Sequence, residues 1–210
     1  MGSKERRERA KAETRQLILD ATRELLLTEG PDALTMRRIA QRIEYSAPAI
    51  YVHFADKEAL LRELCVTDFS VFAEAFMAVP SDTDPVERLM GFGRAYLQFA
   101  ADHPAPYRLL FMTPRLPLAE PGDDDPGLAV YSMLVSAVRQ AQASGALHAG
   151  WTDAEGVAQS LWCSLHGVVS LHMCMNKEGG PITFQAPARL AETLVAVLME
   201  GFRRPPPGAS

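Results

Sequence analysis

Residues 35–57, TMRRIAQRIEYSAPAIYVHFADK, constrain this chain more than any other stretch. Met36, Ile39, Ala40 and Ile43 recur at helical spacing and form an apolar stripe. Thr35 stands where an N-cap belongs, with a hydroxyl that can accept from an amide of the first turn. Arg37, Arg38 and Arg42 point away from the stripe. The chain then turns at Glu44 and Tyr45. A second short helix is expected over 47–54, capped by Ser46, with Pro48 in its first turn, where a missing N–H costs little. Ile50 and Phe54 face inward in this reading, leaving Ala47, Ala49, Tyr51 and His53 outside. Asp56 caps a further helix that begins at Lys57.

Such a pair of helices suits a DNA duplex. Arginine and lysine neutralise phosphates and supply most non-specific affinity. Short Ala and Pro side chains let a helix sit deep in the major groove and touch a thymine methyl. A surface hairpin with solvated arginines would share the same composition. Further along, the 3.6-residue period continues in helices expected over 12–29, 57–77, 86–101, 107–112, 128–144, 153–175 and 187–203. Pro/Gly/Asp clusters separate them, at 80–85, 103–106, 113–127 and 179–181. The chain therefore reads as all-α, with about nine helices.

The register of the first part resembles the DNA-binding domain of the TetR family of transcriptional repressors. The resemblance starts at Thr14, Arg15, Gln16, Leu17, Ile18, Leu19, Asp20 and Ala21 and passes through Leu26 and Gly30. It continues through Leu34, Thr35, Met36, Arg37, Arg38, Ile39 and Ala40. It then takes in 46–54, SAPAIYVHF, and closes on Lys57, Glu58, Ala59 and Leu60. The family usually has Gly-Val where this chain has Glu44 and Tyr45, so Glu44 must bear a positive φ or take another turn. The Lys/Arg-rich start reads as a basic disordered arm over 1–12 and the Pro-rich end as a disordered tail over 205–210; the resemblance implies a three-helix DNA-binding domain over 13–60 and a helical regulatory and dimerisation domain over 61–204. It also implies DNA contacts by Thr35, Arg37, Arg38, Ser46, Ala47, Pro48, Ala49, Tyr51, His53 and Lys57, with Glu13 and Arg15 nearby. Arg37 is the candidate for base choice, through guanine.

More loosely, HPxxYRLLF at 103–111 resembles the family's regulatory domain, and Trp162, His166 and Gly167 resemble the pattern that names its WHG subclass. The implied function is a ligand-responsive homodimeric repressor on a palindromic operator, with a transcriptional activator of the same family as the alternative. The helices over 153–175 and 187–203 would pair with those of a second copy. The first of them is apolar nearly all round, one side suiting its own domain and the other a partner. Phe92, Tyr96, Phe99, Tyr107, Phe111, Tyr131, Trp162 and His166 are the candidate lining for a small apolar or aromatic effector. Each of them also reads as ordinary core.

Composition agrees. Net charge is −5, but 1–64 hold twelve Lys/Arg against eleven Asp/Glu while 65–210 hold nine against fifteen, so the acidity lies away from the expected DNA face. The chain is 48% hydrophobic, ample for a core, and no apolar run approaches the ~18 residues of a membrane span. The first residues, MGSKERRERAKAETR, hold no apolar secretory segment, and a cytoplasmic protein is expected. Cys65, Cys163 and Cys174 form no metal-binding spacing and are expected as buried free thiols. The Asp run at 123–125 reads as a helix cap rather than a metal site, and no cofactor is expected. His53, His103, His148, His166 and His172 are scattered, with no serine or cysteine elbow and no glycine-rich phosphate loop, which argues against an enzyme.

Overall fold

The computed structural model describes residues 2–113, 125–175 and 182–204. Among them are nine α-helices and no strand: α1 Ser3–Glu29, α2 Met36–Arg42, α3 Ala47–Tyr51, α4 Lys57–Met77, α5 Pro85–Asp102, α6 Pro104–Met112, α7 Pro126–Ala143, α8 Ala154–Met175 and α9 Pro187–Phe202. A single 3-10 turn, Pro31–Ala33, links α1 to α2. The all-α expectation holds. The turn expected at 179–181, the tail at 205–210 and Asp123 and Asp124 lie outside the described residues.

The helix ends follow local chemistry. Asp56 caps α4 through a 2.7 Å bond from the Ala59 amide, and Asp153 caps α8 through a 3.0 Å bond from Gly156. Asp125 caps α7, accepting from Gly127 and Leu128 at 2.8 and 3.1 Å. The first helix departs from expectation: it is helical from Ser3, where a disordered arm was expected. The Glu5 carboxylate accepts the Gly2 amide at 2.8 Å. Lys4 with Glu8 and Arg9 with Glu13 form i,i+4 pairs that support an exposed helix rich in Ala, Lys, Glu and Arg.

The chain forms two compact units, Met1–Phe69 with His103–Gly122, and Ser70–Asp102 with Asp123–Ser210. The division falls inside α4, so one continuous helix contributes residues to both. Ile18, Leu25, Ile39, Ile50, Leu60 and Leu64 centre the core of the first unit, and Leu109 of α6 joins it. In the second unit Val138 of α7, Ala158 and Leu161 of α8, and Val195 and Met199 of α9 are buried.

Candidate nucleic-acid interface

The site is built from the turn outward. In α2 the Thr35 hydroxyl accepts the Arg38 amide at 3.2 Å. Met36, Ile39 and Ala40 are buried, as the stripe requires. Beyond α2, Tyr45 N–H reaches the Ala40 carbonyl at 2.8 Å and Glu44 N–H reaches Gln41 at 3.3 Å. These two bonds are the Schellman closure, which needs a left-handed residue between them. Glu44 is that residue, at φ 59°, and among the described residues it alone takes a positive φ without being glycine.

α3 runs only from Ala47 to Tyr51, shorter than the helix expected to reach Phe54. His53 and Phe54 are still bonded to Ile50 through their amides at 2.9 and 3.0 Å, so the turn closes without a regular helix. Ser46 occupies the N-cap position, but its side chain makes no capping bond. Ile50 and Phe54 are buried as expected. Ala47 is half-buried against the core rather than fully outward, and Ala49 and His53 are also half-buried. What remains on the surface is Pro48, Tyr51 and Val52, the last two 53% and 73% exposed.

The cations divide into two groups. Arg38 pairs with Glu29, and Arg42 with Glu24, both back onto α1. Lys57 donates to the Pro31 carbonyl at 3.1 Å and keeps two ammonium protons for other acceptors. Arg37 is exposed and forms no ion pair among the described residues. Glu13 pairs with Arg9, and Arg15 is turned inward onto Glu63. Burial, then Lys11 and Arg15, hold the His53 imidazole below its ordinary pKa.

The sequence reading did not find a buried ion pair in the same unit. Arg23 of α1 grips both carboxylate oxygens of Asp68 in α4 at 3.1 and 2.6 Å, and Asp20 at 2.7 Å. Asp68 is 2% exposed, and burial pushes its carboxyl up while Arg23 opposes the shift. A charged residue in an apolar stripe of α4 was the available signal.

The candidate effector residues fall into both units. Tyr107 and Phe111 belong to the first, with rings 5.1 Å apart. In the second, Phe92, Tyr96 and Phe99 are all buried: Phe92 stacks on Phe76 at 5.0 Å, and Phe72 meets Tyr96 and Phe99 at 5.7 and 4.9 Å. Tyr96 Oη lies 3.2 Å from His166 Nδ1, and burial lowers the pKa of that imidazole. Tyr131 accepts from Gln159 at 3.0 Å, with its ring 6.2 Å from Trp162. Cys163 and Cys174 are exposed and Cys65 half-buried, against the expectation of buried thiols. The reason is that α8 buries only the Val157, Leu161 and Leu165 side within one chain.

Two short helices closed by a tight turn, presenting an unpaired arginine and exposed short and aromatic side chains on an all-α chain, define a helix-turn-helix regulator of transcription. Residues 18–64 match the model of bacterial regulatory proteins of the tetR family, and residues 89–198 match a tetracyclin repressor-like C-terminal domain. The chain belongs to the TetR family of transcriptional regulators, which are DNA-binding transcription factors and not enzymes. It is 32% identical to the HTH-type transcriptional regulator TcmR of Streptomyces glaucescens over 128 residues, 54% of each chain. It is 42% identical to the class D tetracycline repressor protein of Escherichia coli over 52 residues, 25% of this chain and 24% of that one. The chain thus spans about half the length, or less, of these curated relatives. The same fold occurs in AibR, solved in complex with isovaleryl coenzyme A and operator DNA, with TM-score 0.70, 22% identity and coverage of 90% of this chain and 98% of that one. It also occurs in the ketosteroid transcriptional regulator KstR2 of Mycobacterium tuberculosis, with TM-score 0.66, 19% identity and coverage of 91% and 95%. Among the described residues no helix is long and apolar enough to cross a membrane.

Proposed function

We propose that the protein is a homodimeric repressor that binds a palindromic operator through α2 and α3 and is released by a small effector held in the second unit. The observation that carries the DNA reading is the sorting of the cations. Arg38 and Arg42 are paired onto α1, whereas Arg37 of the same helix is exposed, as Pro48 and Tyr51 of α3 are, and forms no ion pair among the described residues. Thr35, Ser46 and Lys57 serve phosphate, Ala47, Pro48 and Ala49 approach base edges, and Tyr51 and His53 complete the docking face. Arg37 reads a base.

The dimer is supported by what one chain leaves uncovered. Leu171 and Met175 on α8 and Val197 on α9 are exposed. A side chain at Gly167 would meet open space, so nothing within the chain requires glycine there. A second copy covering this face by two-fold symmetry gives two reading heads for half-sites about 34–36 Å apart. An apolar or aromatic effector fits the second unit's Phe92, Tyr96, Phe99, Tyr131, Trp162 and His166, with the Tyr96 and His166 pair as its polar anchor. It acts by binding better to the form whose recognition helices are wrongly spaced. α4, continuous through both units, is the covalent route for the change.

Selection of bound duplexes from a random pool at fixed salt tests the reading. A recovered palindrome supports a symmetric dimer. Salt-sensitive bulk binding with no recovered sequence would overturn it.

A further inference from the structure

We infer that Arg15 is a positioning residue for DNA recognition: it sets the angle of α3 from behind and touches no phosphate. This rests on the reading of α3 as the recognition helix.

α3 spans only Ala47–Tyr51, well below the length at which a helix holds itself together in water. Its N-cap Ser46 gives no side-chain bond, so its pose is imposed from outside. Two buried side chains, Ile50 and Phe54, fix one edge. The other restraint is Arg15, which comes from α1. Its Nη1 donates to the His53 carbonyl at 2.6 Å, just past the end of α3. Its Nε and Nη2 donate to the two carboxylate oxygens of Glu63 in α4. Its guanidinium lies over the Phe54 ring, 4.2 Å from the centroid. One planar cation therefore ties together α1, the exit of α3 and α4.

The chemistry requires arginine. Only a guanidinium offers a rigid fork to a carboxylate, a further donor to a carbonyl and a flat face to an aromatic ring at once. The positive charge also sits where the C-terminal end of α3 is negative. With these donors turned inward and both Arg15 and Glu63 about a third exposed, the charge is neutralised within the protein. The short backbone link to His53 sets where the Tyr51, Val52 and His53 side chains project.

The test uses the full-length protein, the duplex recovered by selection and a random-sequence duplex of equal length. Arg15→Lys and Glu63→Gln are compared with wild type at a temperature where circular dichroism shows all three folded. Both variants are expected to bind the selected duplex about tenfold more weakly. Binding to the random duplex should change little, so discrimination falls, while the slope of log affinity against log salt stays as in wild type. A phosphate ligand would behave otherwise. Lysine would keep wild-type binding, and Glu63→Gln would raise affinity for both duplexes by freeing the arginine. That pattern, or lowered melting with unchanged affinity and discrimination, overturns the inference. Amide exchange gives a reading independent of DNA: residues 49–54 should exchange faster in Arg15→Lys while the interior of α1 stays protected. Unchanged protection overturns the positioning role even if no duplex is recovered, an outcome that would separately sink the recognition-helix reading.

Discussion

Ion pairs tie one helix to another in the first unit, whereas among the described residues of the second they stay within one helix and the helices meet largely through aromatic and aliphatic side chains. Arg15 with Glu63, Arg23 with Asp68, Arg38 with Glu29 and Arg42 with Glu24 each bridge two helices of the first unit. In the second, Arg94 with Glu87, and Arg203 and Arg204 with Glu200, stay within one helix and its end. The first unit must hold short helices, of which α2 and α3 are too small to orient themselves by burial alone. Forked arginine pairs supply the missing direction. The second unit has long helices that bury whole stripes, and it leaves apolar surface over. In a helical DNA-binding unit, then, an arginine is structural until its partners are known, and of the three arginines on α2 the one without an ion-pair partner, Arg37, is the one to suspect of touching DNA.

The largest expected effect breaks the first unit's pattern at its most buried pair. Asp68→Ala leaves Arg23 with Asp20 as its one remaining carboxylate and should cost about 2–3 kcal/mol in urea unfolding. A loss under about 1 kcal/mol would show that the pair is solvated. In the second unit the matching lesion is at the surface. Val197, 63% exposed on α9, is predicted to lie in the dimer seam, so Val197→Glu should convert the protein to a monomer in sedimentation equilibrium. A dimer that persists would place the seam elsewhere. A smaller effect concerns the turn. Replacing Glu44, at φ 59°, by glycine removes left-handed strain at the cost of a more flexible unfolded chain, and should raise stability by up to about 1 kcal/mol.

The smallest effect is a pH dependence that separates the two units. His53 and His166 both have folded pKa values below the ordinary 6.5, so the unfolded chain binds more protons. Their contribution is present above pH 6.5 and is lost as pH falls through the folded value. For His166 the cause is burial alone, whereas at His53 Lys11 and Arg15 add to burial. Salt should therefore shrink the part removed by His53→Gln and leave the part removed by His166→Gln unchanged. Equal salt response in both variants would contradict these causes.

Much of the first unit was legible because its signals are local. A cap, a stripe and a Pro in the first turn specify α2 and α3 within a few residues. The Glu44 dilemma was visible as soon as a glycine was missed at the turn. The links between Arg15 and Glu63 and between Arg23 and Asp68 were not legible, because periodicity assigns a residue to a face without naming its partner from a distant helix. Ser46 shows the limit of cap reading, since it takes the N-cap position and leaves the bond unmade. Cys163 and Cys174 show another limit. The all-round apolar α8 was read with one side for its own domain and the other for a partner, and both cysteines fall on a side that one chain leaves uncovered. Phe92, Tyr96 and Phe99 read equally as core or pocket, and in this structure they are buried among other aromatic rings.

The most direct test of the DNA reading is equilibrium binding of the selected duplex, at fixed salt, by wild type, Arg37→Ala and Tyr51→Ala. Arg37 and Tyr51 are both exposed, so melting temperatures should not move. The exposed face, as read here, predicts about tenfold or greater loss of affinity in each variant, with relaxed preference at one base position for Arg37→Ala. Wild-type affinity in both would mean that this face does not meet DNA.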